Sequence, residues 1–399
     1  MTPPNPVAGI AGRFTSPLHE PRTASWLGLA LGVSFAVCFA TGMISHLIQQ
    51  PPDWFDWPSR PAGLYRVTQG LHVATGIATI PLLLVKLWVV YPKLWAWPPV
   101  RGVAHALERL SLLPLVAGSV FLLFSGVANV ARWYPWEFFF PAAHYWASWI
   151  TVGALVVHIG AKAGVVRASL TGPGSETEAS APPGTPTLPG SEGDAPRHPG
   201  ALTRRQLLGA TAGGSLVLTL TTIGQTLTPL GPLARLAQRR PGVGPQGLPV
   251  NKTARSAGVL DLAVDPAYRL VVDGRVSRPL ALSLDDLEAL PQHTVDLPIA
   301  CVEGWSATAT WTGVRVRDVL ARAGAAGSDR TVDVESLQPR GRYRRSQLNP
   351  DHTADPDTIL ALRLNEDPLQ IDHGYPVRLI GPNRPGVMQT KWVSRLEVH

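Results

Sequence analysis

The chain has 399 residues, 45% of them apolar and only 16% charged, with 35 Lys and Arg against 28 Asp and Glu for a net charge of +7. That is longer than one small module, and the charge is too sparse for a nucleic-acid-binding surface, so no nucleic-acid partner is expected. Cys38 and Cys301 stand far apart, which argues against a disulfide framework.

Ten of the 13 Trp precede residue 150, in a half where long uncharged stretches alternate with short loops. A bilayer explains the pattern, because about 20 apolar residues of helix cross roughly 30 Å of hydrocarbon without exposing backbone amides. Stretches free of Asp, Glu, Lys and Arg cover 23–52, 67–85, 110–131, 138–161 and 206–234. They predict a transmembrane four-helix bundle over 1–170 and a fifth, Gly/Thr-rich helix. Pro81 and Pro114 bend their helices without excluding them.

Orientation follows from the basic residues. Arg13, Arg22, Lys86, Lys93, Arg101, Arg109, Lys162, Arg167, Arg204 and Arg205 gather at one set of helix ends, read as cytoplasmic. The opposite loops, 49–65 and 132–143, carry Asp53, Asp56 and Glu137 with only Arg60 and Arg132 as cations. The predicted location is the cell membrane, multi-pass, with everything beyond about 235 outside. Arg235, Arg239 and Arg240 conflict with that assignment. The segment 171–202, without an aromatic residue, reads as a disordered Pro/Gly/Ser linker. Thr203-Arg204-Arg205-Gln206-Leu207-Leu208 then opens the 203–234 segment and resembles a twin-arginine export signal, an ordinary basic helix flank being the alternative.

Histidines inside membrane helices are costly and point to function. His144 and His158 are 14 residues apart, which on a helix is about 40° around the axis and roughly 21 Å along it. Two ligands on one face suit two stacked haems, each needing a second His from a neighbouring helix. His72 pairs with His144, with His46 as competitor, and His19 pairs with His158, with His105 as rival. Leu71-His72-Val73, Gly102-Val103-Ala104-His105 and the His144/His158 spacing make 17–168 similar to bacterial di-haem b-type membrane cytochromes. That resemblance implies one or two haem b groups, exchange with quinone or quinol, and electron transfer across the bilayer.

From Asn251 charges return and β-rich runs alternate with turns. Strands are predicted at 268–272, 294–302, 331–337, 376–381 and 391–398. Helices are predicted at a Ser-capped 283–288 and near 314–323 and 356–364. The 235–399 segment is therefore α+β. Cys301 ends an apolar strand in Ile299-Ala300-Cys301-Val302-Glu303-Gly304-Trp305-Ser306. Together with His373-Gly374-Tyr375-Pro376-Val377-Arg378-Leu379-Ile380-Gly381-Pro382 and Gln389-Thr390-Lys391-Trp392-Val393, it resembles the sulfite oxidase family of molybdopterin enzymes over about 250–399.

The resemblance implies a Mo-molybdopterin cofactor with Cys301 as permanent thiolate ligand to molybdenum. Arg378 and Lys391 then serve as phosphate donors, helped by amides near Gln389 and Thr390. Asn251, Ala254, Arg255, Ser336 and His373 are further implied pterin contacts. The basic run Arg340-Gly341-Arg342-Tyr343-Arg344-Arg345-Ser346 is either a solvated face or the border of a substrate site, with Tyr343 and Arg344 at the chemistry. Trp305 and Trp311 wall that pocket or are core.

Val-Glu-Gly-Trp-Ser after the cysteine resembles the periplasmic methionine sulfoxide reductase branch, where sulfite-detoxifying enzymes carry arginines. Dimerisation through the family's C-terminal immunoglobulin-like domain is not expected. The reading is a membrane-bound molybdopterin-dependent oxidoreductase in which quinone-pool electrons reach an oxygen-atom transfer site through haem. The substrate is an S-oxide, small-molecule or protein-bound, or an N-oxide. The alternatives are a sulfite or other small-sulfur-compound dehydrogenase feeding the quinone, and a membrane cytochrome with a non-catalytic ligand-binding outer domain.

Overall fold

The computed structural model describes residues 16–95, 100, 102–171, 202–224, 228–325 and 330–399. The linker predicted at 171–202 lies almost wholly outside them.

Five helices are long and apolar enough to cross a membrane. They are α1 (Pro21–Gln49), α2 (Leu64–Val90), α3 (Val103–Ala131), α4 (Phe140–Thr171) and α5 (Arg204–Ile223). Pro81 and Pro114 lie inside continuous helices. The fifth helix is shorter than its uncharged stretch: it stops at Ile223, and Thr228–Leu233, with Pro232 inside, is a 3-10 turn. At the start of α5, Thr203 and Gln206 form a reciprocal cap. The Gln206 Oε1 accepts from the Thr203 N–H (2.8 Å) and the Thr203 hydroxyl accepts from the Gln206 N–H (3.2 Å).

The chain divides into two compact units. One is Met1–Ala36, Thr75–Ser125 and Phe138–Leu218; the other is Val37–Ala74, Gly126–Glu137 and Thr219–His399. In the first, Leu31, Phe35, Leu83 and Leu122 form a core with Ala147 and Leu155 packed against it, so α1 to α4 meet as a bundle. Small residues let helices approach in lipid. A Cβ on Gly118 would come 2.1 Å from the Thr151 Oγ1 of the neighbouring helix. Polar bonds supplement the packing: Lys162 pairs with Glu108 at 2.6 Å, and the Ser25 and Ser169 hydroxyls meet at 2.8 Å.

The second unit carries the α+β fold. One sheet has the order β2-β1-β10-β5-β6, built from β1 (Leu270–Gly274), β2 (Leu280–Leu282), β5 (Val332–Ser336), β6 (Arg345–Leu348) and β10 (Val393–Val398). β1 and β10 run parallel and the other neighbours antiparallel. The other sheet has the order β3-β4-β7-β8, with β9 also on β7. Its strands are β3 (Gln292–Ala300), β4 (Ser306–Arg315), β7 (Ile359–Leu364), β8 (Asp367–Pro368) and β9 (Arg378–Ile380). The Ser283 cap is present with Asp286 completing a capping box on Leu284–Glu288.

Two predicted features are corrected. The helix expected at 356–364 is strand β7, hydrogen-bonded to β4 and β9 and buried at five of its six positions. A strand covered on both faces loses its alternation and cannot be distinguished from a buried helix by pattern. The predicted 314–323 helix is confined to Val316–Arg322, because β4 extends through Arg315.

Loop 50–63 is tied to the α+β part of the same unit through Asn383. This residue adopts φ 54°, a conformation Asn tolerates. Asn383 accepts from Tyr65 N–H (2.7 Å) and Trp57 Nε1–H (2.9 Å), and donates to the Pro58 and Ala62 carbonyls (2.7 and 3.0 Å). Arg60 forms a bidentate pair with Asp355, both bonds at 2.9 Å.

Gly118→Ala should lower the unfolding temperature of the detergent-solubilised protein, at a cost of about 1–3 kcal/mol for overpacking. Gly153→Ala on α4, which faces open space, should not. Equal shifts for the two variants in a thermal melt would contradict the close α3–α4 approach.

Candidate cofactor and active site

Cys301 follows the last residue of β3. Its N–H donates to Trp305 O at 2.9 Å and its carbonyl accepts from Gly304 N at 3.1 Å, closing a tight turn. Gly304 has φ +84°, and a Cβ there would sit 2.9 Å from Val73 Cγ1, so glycine is required twice over. The thiol is 2% exposed, with Asn251 Nδ2 at 4.0 Å. Burial, and next the Glu303 carboxylate, push it up to about 12. Cys301 is therefore a neutral thiol unless a metal takes its proton.

The turn is fixed from the helix ends. Asn129 Nδ2 donates to Val302 O at 3.0 Å, and Tyr134 donates to Asn129 Oδ1 at 2.9 Å. Glu303 is 8% exposed and lies between Arg132 (3.4 Å) and Arg239 (3.8 Å), with Trp305 Nε1 at 3.3 Å. Burial still outweighs the two guanidiniums and raises its carboxyl. Arg239 also donates to Val250 O at 2.8 Å, and Arg240 to Arg235 O at 3.0 Å. These arginines, out of place for the charge rule, are thus engaged in local structure.

Across the cleft stand Arg378 and Lys391. Arg378, on β9, is 4% exposed, donates from Nη1 to His373 O at 3.0 Å, and lies 5.2 Å from the centre of the Trp311 ring. Burial lowers its guanidinium to about 9. Lys391 donates to Asp372 O (2.7 Å) and Lys252 O (3.0 Å); burial, then the neighbouring Arg378 charge, holds it well below the ordinary lysine range. Among the described residues no carboxylate lies within ion-pair distance of either cation, and Arg378 Nε is buried without a partner. Unpaired buried charge is expensive, so this pair calls for an anion. Gly374, at φ +117°, lets the backbone pass: a Cβ there would meet Arg378 Cβ and Lys391 Cα, each at 3.2 Å.

Asn251, Cys301, Trp305, His373, Arg378 and Lys391 thus line one cleft. Trp311 is fully buried core beneath Arg378. The other predicted contacts support the cleft. Ala254 N–H donates to Asp372 Oδ1 (2.7 Å), Ser336 Oγ to Lys391 O (2.7 Å), and Thr390 Oγ1 meets Ser346 Oγ (2.7 Å). Gln389 is buried with its Oε1 unpartnered. Arg255 is exposed on the single turn Ala254–Ala257. Tyr343 and Arg344 lie in the 3-10 turn Arg342–Arg344 before β6. Sequence reasoning missed Asn129, Arg132, Arg239 and Asn383, which are brought to the site by folding alone; Glu303 was visible beside the cysteine but without a role.

In the helices, His72 Nδ1 lies 2.9 Å from Cys38 O, and His19 Nδ1 lies 3.0 Å from Val89 O. His144 Nδ1 is 3.1 Å from Ser125 Oγ, and His158 Nδ1 is buried without a partner. Among the described residues there is no cluster of three or more His, Cys, Asp or Glu. Such a cluster is not required of a bis-His haem.

His373 is buried, donates from Nε2 to Pro245 O at 2.7 Å, and is lowered by burial, then by Arg378, to about 4 from an ordinary 6.5. As pH falls through 6.5 the unfolded chain takes up a proton that the folded imidazole refuses. Stability is therefore lost on acidification, by roughly 3 kcal/mol at pH 4. Thermal melts between pH 7 and 4 should show this loss, and His373→Gln should remove that share of the slope.

The family described as oxidoreductase molybdopterin binding domain matches residues 257–399. Mitochondrial sulfite oxidase of Mus musculus is 34% identical over 162 residues, covering 34% of this chain and 30% of that protein. The Homo sapiens sulfite oxidase is 32% identical over the same shares. The NADH nitrate reductase of Volvox carteri is 31% identical over 160 residues, 33% of this chain and 18% of that protein. The matched region thus spans less than a third of these relatives. Among solved structures, the sulfane dehydrogenase SoxCD of Paracoccus pantotrophus aligns with 34% of this chain and 40% of its own, at 25% identity and a TM-score of 0.32. The C-terminal part of this chain is a molybdopterin-binding oxidoreductase domain related to those of sulfite oxidases and nitrate reductases, and membrane-length helices precede it.

Proposed function

We propose that the protein is a membrane-bound molybdopterin-dependent enzyme that oxidises sulfite or another small sulfur compound and delivers the electrons through b-type haem to the quinone pool. The observation that carries this reading is the cleft itself: one buried thiol, Cys301, sharing it with buried Arg378 and half-buried Lys391, two cations with no carboxylate at ion-pair distance among the described residues. The direction departs from the S-oxide or N-oxide reduction expected from the segment after Cys301. The relatives over the C-terminal domain are named for sulfite oxidation as well as nitrate reduction. Reduction remains the second reading, favoured by the uncharged Gly304-Trp305-Ser306 where arginines are the mark of sulfite-detoxifying enzymes.

When bound, the molybdenum–pterin group supplies two-electron oxygen-atom transfer chemistry. The chain's own residues hold and orient it. Cys301 would hold the metal once its proton is lost, Arg378 and Lys391 would neutralise the pterin phosphate, and Asn251 and neutral His373 line the same cleft. Tyr343 and the basic residues around it, Arg344 among them, border the side from which an anionic substrate arrives.

In the helices, a bond from Nδ1 to a backbone carbonyl fixes the tautomers of His72 and His19, making Nε2 the lone-pair nitrogen suited to iron. His144 and His158 supply the partner ligands of one or two haems. The arrangement suits a multi-pass protein of the cell membrane with its C-terminal domain outside, and Thr203-Arg204-Arg205-Gln206 is both a helix cap and the candidate export signal.

Purification in detergent with molybdenum and haem quantification tests the reading. The parent should carry both, with haem bands reduced on adding sulfite. Cys301→Ser should keep its haem and lose sulfite-dependent reduction. Arg378→Met should lose most of its molybdenum. A folded protein without molybdenum, or haem bands reoxidised by dimethyl sulfoxide and indifferent to sulfite, would overturn the enzyme or its direction respectively.

A further inference from the structure

The outer ends of α1 and α2 are polar where membrane helices are ordinarily apolar. Tyr343 Oη donates to Gln49 Oε1 at 2.9 Å. Gln49 Nε2 lies 3.2 Å from Ser45 O and 3.1 Å from Ser45 Oγ, and Ser45 Oγ is 3.3 Å from Tyr65 Oη. Tyr65 is 1% exposed and packs with Ile48 against Ala300, the residue before Cys301. A continuous polar file thus runs from the basic loop 340–346 into the pair of membrane helices, beside the strand end that presents the thiol.

At Gln49 the hydrogen bonds have only one consistent direction. A backbone carbonyl only accepts, so the Gln49 amide must turn its nitrogen to Ser45 O and its oxygen outward. The outward oxygen can only accept, so Tyr343 must commit its single phenolic proton to Gln49. We infer that Gln49, at the end of the first membrane helix, is a positioning residue for the outer-domain site: it pins Tyr343 and leaves the phenolic oxygen with acceptor capacity alone toward the cleft. The group that meets Tyr343 there is a hydrogen-bond donor, a protonated substrate oxyanion or a water, and the membrane helix completes the substrate side of the site. Burial, which also pushes the Tyr343 phenol up, keeps that proton in place at neutral pH. This rests on the proposed function in taking the 340–346 loop as the substrate border.

The test uses full-length protein in detergent, loaded with molybdenum, with sulfite as the probe and ferricyanide as acceptor. Gln49→Leu should raise the KM for sulfite several-fold with little change in kcat, and should speed trypsin cleavage within Arg340–Arg345. Gln49→Glu, which keeps an acceptor oxygen for Tyr343, should restore both. In a Tyr343→Phe background, Gln49→Leu should add nothing to KM, because the two residues act as one unit. Should Gln49→Leu not fold, Tyr343→Phe alone should release the loop to trypsin. An unchanged KM and cleavage rate in Gln49→Leu, or a KM effect that persists undiminished without the phenol, would overturn the inference. A parent protein that does not oxidise sulfite refutes the proposed direction instead, and the trypsin comparison then decides the Gln49 contact by itself.

Discussion

Everything at the cofactor site follows from charge held where water is scarce. Arg378 is buried and Lys391 half-buried, with carbonyls and aromatic faces as neighbours, and desolvation lowers both. Two such groups held together suit an anion, since a hydrophobic substitute would be more stable in its absence. The same dryness keeps Cys301 protonated and His373 neutral. One low-dielectric cleft therefore sets the state of a thiol, an imidazole and two cations at once.

Residues from the helix ends set the geometry of that cleft. Asn129 holds the Val302 carbonyl, Arg132 and Arg239 hold Glu303, and Val73 packs against Gly304. Loop 50–63 is tied through the four hydrogen bonds of Asn383, two of them to loop carbonyls and two from Trp57 and Tyr65. A turn restrained from both sides has little freedom to relax, which suits the fixed geometry a metal ligand requires. These contacts are why residues 37–74 and 126–137 group with the C-terminal part of the chain.

Much of the architecture was legible beforehand because its signals are local. Charge-free runs of membrane length read directly as α1 to α4, and β5, β10 and the Ser283 cap announced themselves by alternation or capping chemistry. Where the reading failed, long-range pairing had overridden local pattern. β7 is Leu- and Ala-rich, and only its position between β4 and β9 makes it a strand. The fifth helix ended early at Gly224 and the Pro-containing turn after it, although no charge interrupts the stretch.

The sequence by itself, through three segments that resemble the sulfite oxidase family, marked Cys301, Arg378, Lys391, His373 and Asn251 as members of one site, and through its charge-free runs it marked five helices of membrane length. Only the tertiary structure separated residues that line the cleft from those that brace it, such as Ala254, Ser336 and Thr390, whose polar groups are already committed to protein partners. It alone recruited Asn129, Arg132, Arg239, Asn383 and Gln49. The reason is physical: burial and hydrogen-bond direction depend on what folding brings alongside a residue, and sequence neighbours do not carry that information.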